Sequence, residues 1–185
     1  ISGELDAATL DISGNADIDG TMEADAYTLG GASFIKVEGT DFTDSLIVGH
    51  TTTGTLDAAQ QDTIVGIDAG DAITSGDENT IIGYNAGSAL TSASGSIFIG
   101  ESAGSTVTTI GNNIAIGKKA IYSGKTTSGA YNIAIGSAAL RDVAAGAYNV
   151  AIGADAHRYV AAGDYNIALG QGAGNNITSG SGNVV

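Results

Sequence analysis

"NIAIGSAALRDVAAGAYN" (residues 132–149) runs into "NVAIGADAHRYVAAGDYN" (149–166) and then "NIALGQGAGNNITSGSGN" (166–183), each segment opening on the Asn that closes the one before. Every copy begins with Asn, an apolar triplet and Gly. A unit this short cannot enclose a core, but identical units can bury one another by stacking. Extending the pattern toward the N-terminus puts its Gly at Gly49, Gly66, Gly83, Gly100, Gly117, Gly136, Gly153 and Gly170. The spacing is 17 throughout, except 19 between Gly117 and Gly136, where "YSGKTTSG" supplies a turn able to absorb two residues. A ninth copy begins at Asn183.

Two columns flank the centre of the triplet. One runs Val48, Val65, Ile82, Ile99, Ile116, Ile135, Ile152, Leu169, and the other runs Leu46, Thr63, Thr80, Ile97, Ile114, Ile133, Val150, Ile167. Side chains alternate along a strand, so these two share one face. The centre column, Ile47, Ile64, Ile81, Phe98, Ala115, Ala134, Ala151 and Ala168, points the other way. Both faces are apolar, which predicts a strand covered on both sides. One face fills the interior of the coil. The other, taken as the one rich in small Ala and Ile, requires a second surface.

Ala stands three residues after the Gly in seven of eight copies, from Ala69 to Ala173. Seven after it comes another apolar column, Leu56, Ile73, Leu90, Val107, Val143, Val160 and Ile177, which predicts a second short strand in segments such as "AITSG" and "NITSG". Gly recurs inside every short segment and the dominant period is two, so helices are not expected. The prediction is an all-β parallel β-solenoid, or β-roll, over residues 45–185: eight coils of 17 residues, one of them 19, plus the start of a ninth. Eight coils at strand spacing form a rod on the order of 40 Å long. The repeating Asn132, Asn149 and Asn166 form a side-chain amide ladder or cap a turn. Ile116, Ile135 and Ile152 form an apolar ladder, and Gly117, Gly136 and Gly153 admit a backbone conformation or a close approach closed to other residues.

Residues 1–44 differ. They hold ten acidic residues and one basic residue, Lys36. Short runs such as Leu10 and Ile12, Ala16 and Ile18, or Met22, Ala24 and Ala26 alternate between Gly turns, which predicts a β-rich stem, with "VEGTDFTDS" (37–45) as the joint. The whole chain has 29 Gly, no Pro, Cys or Trp, three Phe and a formal charge of −14. Its apolar content is mostly Ala, Ile and Val, so the core must be thin. Without Cys there is neither a disulfide framework nor a Cys-based zinc site. The acidic surface argues against nucleic-acid binding. No apolar run reaches the roughly 20 residues of a membrane span. A start without Met and an end inside a repeat suggest a segment of a longer protein.

Few residues suggest chemistry. "NADIDGTMEADA" (15–26) echoes a calcium loop at Asn15, Asp17, Asp19 and Gly20, but Ala26 stands where a bidentate Glu is needed. It reads better as a solvated acidic strand and turn. His50 and His157 form no pair, Ser and Thr lack a His–Asp partner, and Asp77–Glu78 sits in a turn. No catalytic residue, metal site or cofactor is therefore assigned, and an enzyme is not expected. Glu101, Lys118, Lys119, Arg141, Asp155 and Arg158 read as surface charges. Tyr131, Tyr148 and Tyr165 share one position, just before the Asn of successive coils. They read first as a structural ladder over a turn and second as a glycan-contacting strip.

"NIAIG", "NVAIG" and "NIALG" with Ala three residues on resemble the head repeats of trimeric autotransporter adhesins, over about residues 45–185; the coil is longer here. That resemblance implies a β-roll in a homotrimer. Similar repeats occur in bacteriophage tail fibres, and "ELDAATLDISGNADIDGTMEADAYTLGG" (4–31) looks like repetitive stretches of such fibres, especially those of marine and cyanobacterial phages. The resemblance implies a structural segment of a homotrimeric tail fibre in the virion, outside the cell. Its expected partners are its own copies, other tail proteins, and a host-surface glycan or protein receptor. The alternative it leaves open is the passenger of a bacterial trimeric adhesin. An ice-binding solenoid is disfavoured because only Thr63 and Thr80 share the strand column, and slender coils offer little room for a glycan-cleaving site.

Overall fold

The computed structural model describes the backbone of three early strands, 27–29, 32–39 and 42–48, with side chains from Leu46, and then residues 59–122, 129–142, 146–159, 163–177 and 179–185. Eleven strands form one sheet, and no helix occurs among the described residues. β1 (Tyr27–Leu29), β2 (Ala32–Gly39) and β3 (Phe42–Val48) pair antiparallel in succession. β4 (Ala59–Gln60) pairs parallel with the start of β3. The remaining strands are triplets: β5 (Thr63–Val65), β6 (Thr80–Ile82), β7 (Ile97–Ile99), β8 (Ile114–Ile116), β9 (Ile133–Ile135), β10 (Val150–Ile152) and β11 (Ile167–Leu169). From β3 through β5 to β11 each strand pairs parallel with the next in unbroken register, as in Ala134 opposite Ala151 and Ala151 opposite Ala168. The chain is a parallel β-solenoid with about 17 residues per coil.

The candidate calcium loop, Leu56, Val143, Val160 and His50 lie outside the described residues. The segment read as a joint contributes Val37–Gly39 to β2 and Phe42–Ser45 to β3, so its two ends run directly into paired strands.

The triplets are short because the coil turns at both ends. Beyond the strand-end Gly, the second and fourth residues take positive φ: Lys119 (57°) and Ile121 (47°), Ala138 (57°) and Leu140 (47°), Asp155 (54°) and His157 (47°). The Ala between them, such as Ala120, Ala139 and Ala156, is fully buried. Backbone bonds between coils continue through the turns, including Gly104 N–H to Ala120 O (2.9 Å) and Leu140 N–H to Ala156 O (3.0 Å). The backbone is therefore satisfied outside the strands as well as within them.

The expected second strand does not form in the coils of Ile73, Leu90 and Val107. Ile73, Leu90 and Val107 are buried as an apolar column should be, but the chain turns sharply there. Thr74 and Ser75 both donate to Thr91 O (2.9 and 3.2 Å), and Thr91 and Ser92 both donate to Thr108 O (2.8 and 3.4 Å). Two successive donors on one carbonyl belong to a turn, since successive residues in a strand point their N–H groups to opposite sides. In these three coils the apolar period marked burial correctly and conformation incorrectly.

The face assignment also requires correction. The centre column, Ile47 through Ala168, is buried within this single chain. It is the coil interior, not the face in need of a partner. Its small members are compensated six residues later. Coils with Ile64, Ile81 or Phe98 at the centre carry Gly70, Gly87 or Gly104 at the corner, and coils with Ala115, Ala134 or Ala151 carry Ile121, Leu140 or His157. A Cβ on Gly87 would sit 3.0 Å from the Phe98 ring, and one on Gly104 would sit 2.6 Å from it. In these six coils one large residue fills the interior volume, placed on the strand or at the corner; the coil of Ala168 carries Gly174 instead, and the His157 ring of the coil below reaches the space at that Gly.

The unpartnered face is formed by the two flanking columns. Leu46, Ile135, Ile152, Ile167 and Leu169 are exposed, and the equivalent residues between them are mostly half-buried. Over eight strands this is an apolar strip on the order of 35 Å by 10 Å.

Candidate functional surfaces

Two ladders run along the rod next to the strands. In the first, Asn79, Ser96, Asn113, Asn132, Asn149 and Asn166 are buried one residue before each triplet. Asn132 Oδ1 accepts both the backbone N–H of Asn149 (3.0 Å) and its Nδ2 (3.2 Å). The Asn149 Nδ2 also donates upward to Gly163 O (2.9 Å). Asn166 and Asn183 repeat the pattern on Asn149 and Asn166. Each inner amide thus has two acceptor and two donor bonds, its full capacity. A fully satisfied buried network of this kind fixes register, because a slip of one residue would bury unpaired amides.

Asp62 stands at the foot of this ladder, 1% exposed, and its Oδ1 accepts the Asn79 N–H (2.8 Å). Burial is the largest influence on its carboxyl and, against the bonds from Asn79, pushes its pKa up from 3.8 to about 6. A carboxylate whose folded pKa is raised loses stability as pH climbs from about 4 to above 6. That rise corresponds to about 3 kcal/mol at neutral pH. Asp62→Asn is expected to raise stability at pH 7 by about 1–3 kcal/mol and to remove this pH dependence. Urea unfolding at pH 5 and pH 7.5 checks both: the wild-type midpoint falls between those values and the variant's does not. An unchanged or lower midpoint for the variant at pH 7.5 refutes the assignment.

His157 lies in the interior, fully buried, and neither ring nitrogen is hydrogen-bonded among the described residues. Its ring occupies the space below Gly174. Burial lowers its pKa from 6.5, so its contribution has the opposite sign: stability is lost as pH falls below about 6.5. His157→Leu, which copies Leu140 one coil below, is expected to reduce the loss of stability in acid, read as a smaller drop in thermal midpoint between pH 7 and pH 5. A drop equal to the wild-type one assigns the acid sensitivity elsewhere.

The second ladder is aromatic. Tyr131, Tyr148 and Tyr165 stack with centroids 5.1 and 5.0 Å apart and planes within 6° and 5° of parallel. They are 51%, 46% and 61% exposed. Their φ values of 61°, 59° and 59° lie in the left-handed region, where side chains other than Gly, Asn and Asp are uncommon. A sugar packs on an aromatic face, and here the inner faces cover each other. What the stack offers laterally is ring edges and hydroxyls.

The charges form local pairs: Lys118 with Glu101 (2.8 Å) across coils, Arg141 with Asp142 (3.0 Å) and Arg158 with Asp155 (3.1 Å). Lys119 lies over the Tyr122 ring, 5.2 Å from its centroid. In the Asp77–Glu78 turn, Asp77 accepts the Gln60 N–H (2.9 Å) and its own N–H donates to Ser94 Oγ (3.0 Å), while Glu78 takes φ 60°. Asp77 thus holds adjacent coils together. Among the described residues no group of three or more His, Cys, Asp or Glu is placed to hold a metal, and no helix is long and apolar enough to cross a membrane. Sequence reasoning singled out the Asn and Tyr columns but missed Asp62, whose signal was a carboxylate in a column of Asn.

No protein-family model, no curated protein and no solved structure matches the chain.

Proposed function

We propose that this chain is a structural segment of a homotrimeric bacteriophage tail fibre, located in the virion outside the cell, which spaces and presents a host receptor-binding tip and contacts the host surface. The observation that carries this reading is the unpartnered apolar strip of the flanking columns, continuous from Leu46 to Leu169 on a rigid stack. A strip on the order of 350 Å² is comparable with the largest apolar patch of a typical monomer, a patch that is often functional. The interior of each coil is already filled by its own chain, so the strip is free to take another copy. Rigidity follows from the in-register ladders, which suit a spacer. The partners on this reading are two further copies, neighbouring tail proteins and a host glycan or protein receptor, with no enzymatic step and no cofactor. The "NIAIG"-type repeats favour one other reading, the passenger of a trimeric adhesin. A virion-attachment or chaperone domain in the flanking sequence selects the fibre, and a C-terminal membrane anchor selects the adhesin.

Light scattering of the purified chain tests the assembly. The expected mass is about three times 18.1 kDa. Ile135→Asp combined with Ile152→Asp places two charges in the strip and is expected to give a folded monomer, because both side chains point outward. A wild-type monomer at high concentration overturns both the fibre and the adhesin reading.

A further inference from the structure

We propose that Tyr131, Tyr148 and Tyr165 form an oxidative cross-linking site, at which a one-electron oxidant of the peroxidase class joins neighbouring phenols into dityrosine and so staples successive coils of the same chain. The inference goes beyond the fibre reading and does not depend on it.

The geometry comes first. Three phenols stand in register at 5.0–5.1 Å, nearly parallel and about half exposed. In-register stacking brings equivalent ring carbons, those beside the hydroxyl, within one coil of each other. Exposure leaves the rings room to tilt out of the stack and close that gap. A second molecule at micromolar concentration competes poorly with a neighbour held this close. The position is also an unusual place for tyrosine. Its other described occupants are Gln61, Glu78, Gly95, Asn112 and Gly182, all at positive φ. Three consecutive bulky rings are kept where the backbone favours Gly or Asn. The chain has no Cys, so no disulfide can bridge its coils.

The chemistry balances with hydrogen peroxide as the terminal acceptor. Each of two adjacent tyrosines loses one electron to the oxidant and its phenolic proton to solvent. The two phenoxyl radicals pair their electrons in a carbon–carbon bond between positions ortho to the hydroxyls. Each displaced ring hydrogen then moves to its oxygen as the ring regains aromaticity. The protein loses two hydrogens per bond, and one peroxide becomes two waters. Linking Tyr131 to Tyr148, or Tyr148 to Tyr165, closes a one-coil loop and restricts the unfolded chain as a disulfide would.

The test treats the full chain with a peroxidase and hydrogen peroxide. The expected result is dityrosine fluorescence, an intact mass lower by two hydrogens per bond, linked peptides containing Tyr148, and one-chain mobility on a denaturing gel. The thermal midpoint rises after treatment. Tyr148→Phe keeps the stacked ring but removes the central phenol, leaving Tyr131 and Tyr165 two coils apart. It is expected to match the wild type in fold and thermal midpoint before treatment and to lose the fluorescence and the midpoint rise after it. Tyr84→Phe, at an exposed tyrosine outside the stack, leaves the product unchanged. Absence of dityrosine in the wild type, products confined to linked chains, or full fluorescence in Tyr148→Phe overturns the proposal.

Discussion

Gly117→Ala is expected to lower stability by about 2–6 kcal/mol, the sum of a backbone term and a steric term of about 1–3 kcal/mol each. Gly117 has φ 127°, a conformation L side chains rarely adopt, and a Cβ there would lie 2.7 Å from the carbonyl carbon and oxygen of Gly136 in the next coil. Backbone cannot move aside without opening the ladder, in which Gly136 N–H donates to Ile116 O (2.8 Å). Gly170→Ala separates the two terms. Its φ is 121°, but nothing among the described residues lies within 4 Å of its Cβ position. It is expected to cost only the backbone term. Urea unfolding of the two variants side by side checks this; equal losses would show that close approach of the coils is not what requires Gly.

Phe98→Ala is expected to cost about 3–5 kcal/mol, because its ring is fully buried and is the largest fully buried side chain among the described residues. The corner column makes a rescue testable. Adding Gly104→Leu to Phe98→Ala copies the Ala134 and Leu140 combination of another coil. Gly104→Leu alone drives a side chain into the Phe98 ring and is itself destabilising. The double variant is expected to recover about 1–3 kcal/mol relative to the sum of the single changes. Additive losses in a double-mutant cycle would mean that the two positions do not share one volume.

Much of the fold was legible because a stacked repeat prints its three-dimensional neighbours as sequence columns. Residues one coil apart become contacts, so the 17-residue period gave the register of Ala134 on Ala151 directly. The Asn and Tyr columns were visible for the same reason. Their interactions were less so. That each amide reaches both the coil below and the turn above, and that the tyrosines cover each other's faces, depends on side-chain direction at left-handed corners.

By itself, the sequence determined the period, the parallel in-register stacking and the positions of the strand triplets, because burial in a solenoid requires like residues to fall in line. Only the tertiary structure decided which face of the triplet lies inside. A strand apolar on both sides carries no sign of its own. The sign is set by closure of the coil through positive-φ corners, which brings Ile121, Leu140 or His157 onto the alanines of the strand and leaves the larger Ile and Val columns facing out. In the coils of Ile73, Leu90 and Val107 the predicted second strand is a bend, and in the first two of them two successive N–H groups share one carbonyl of the next coil.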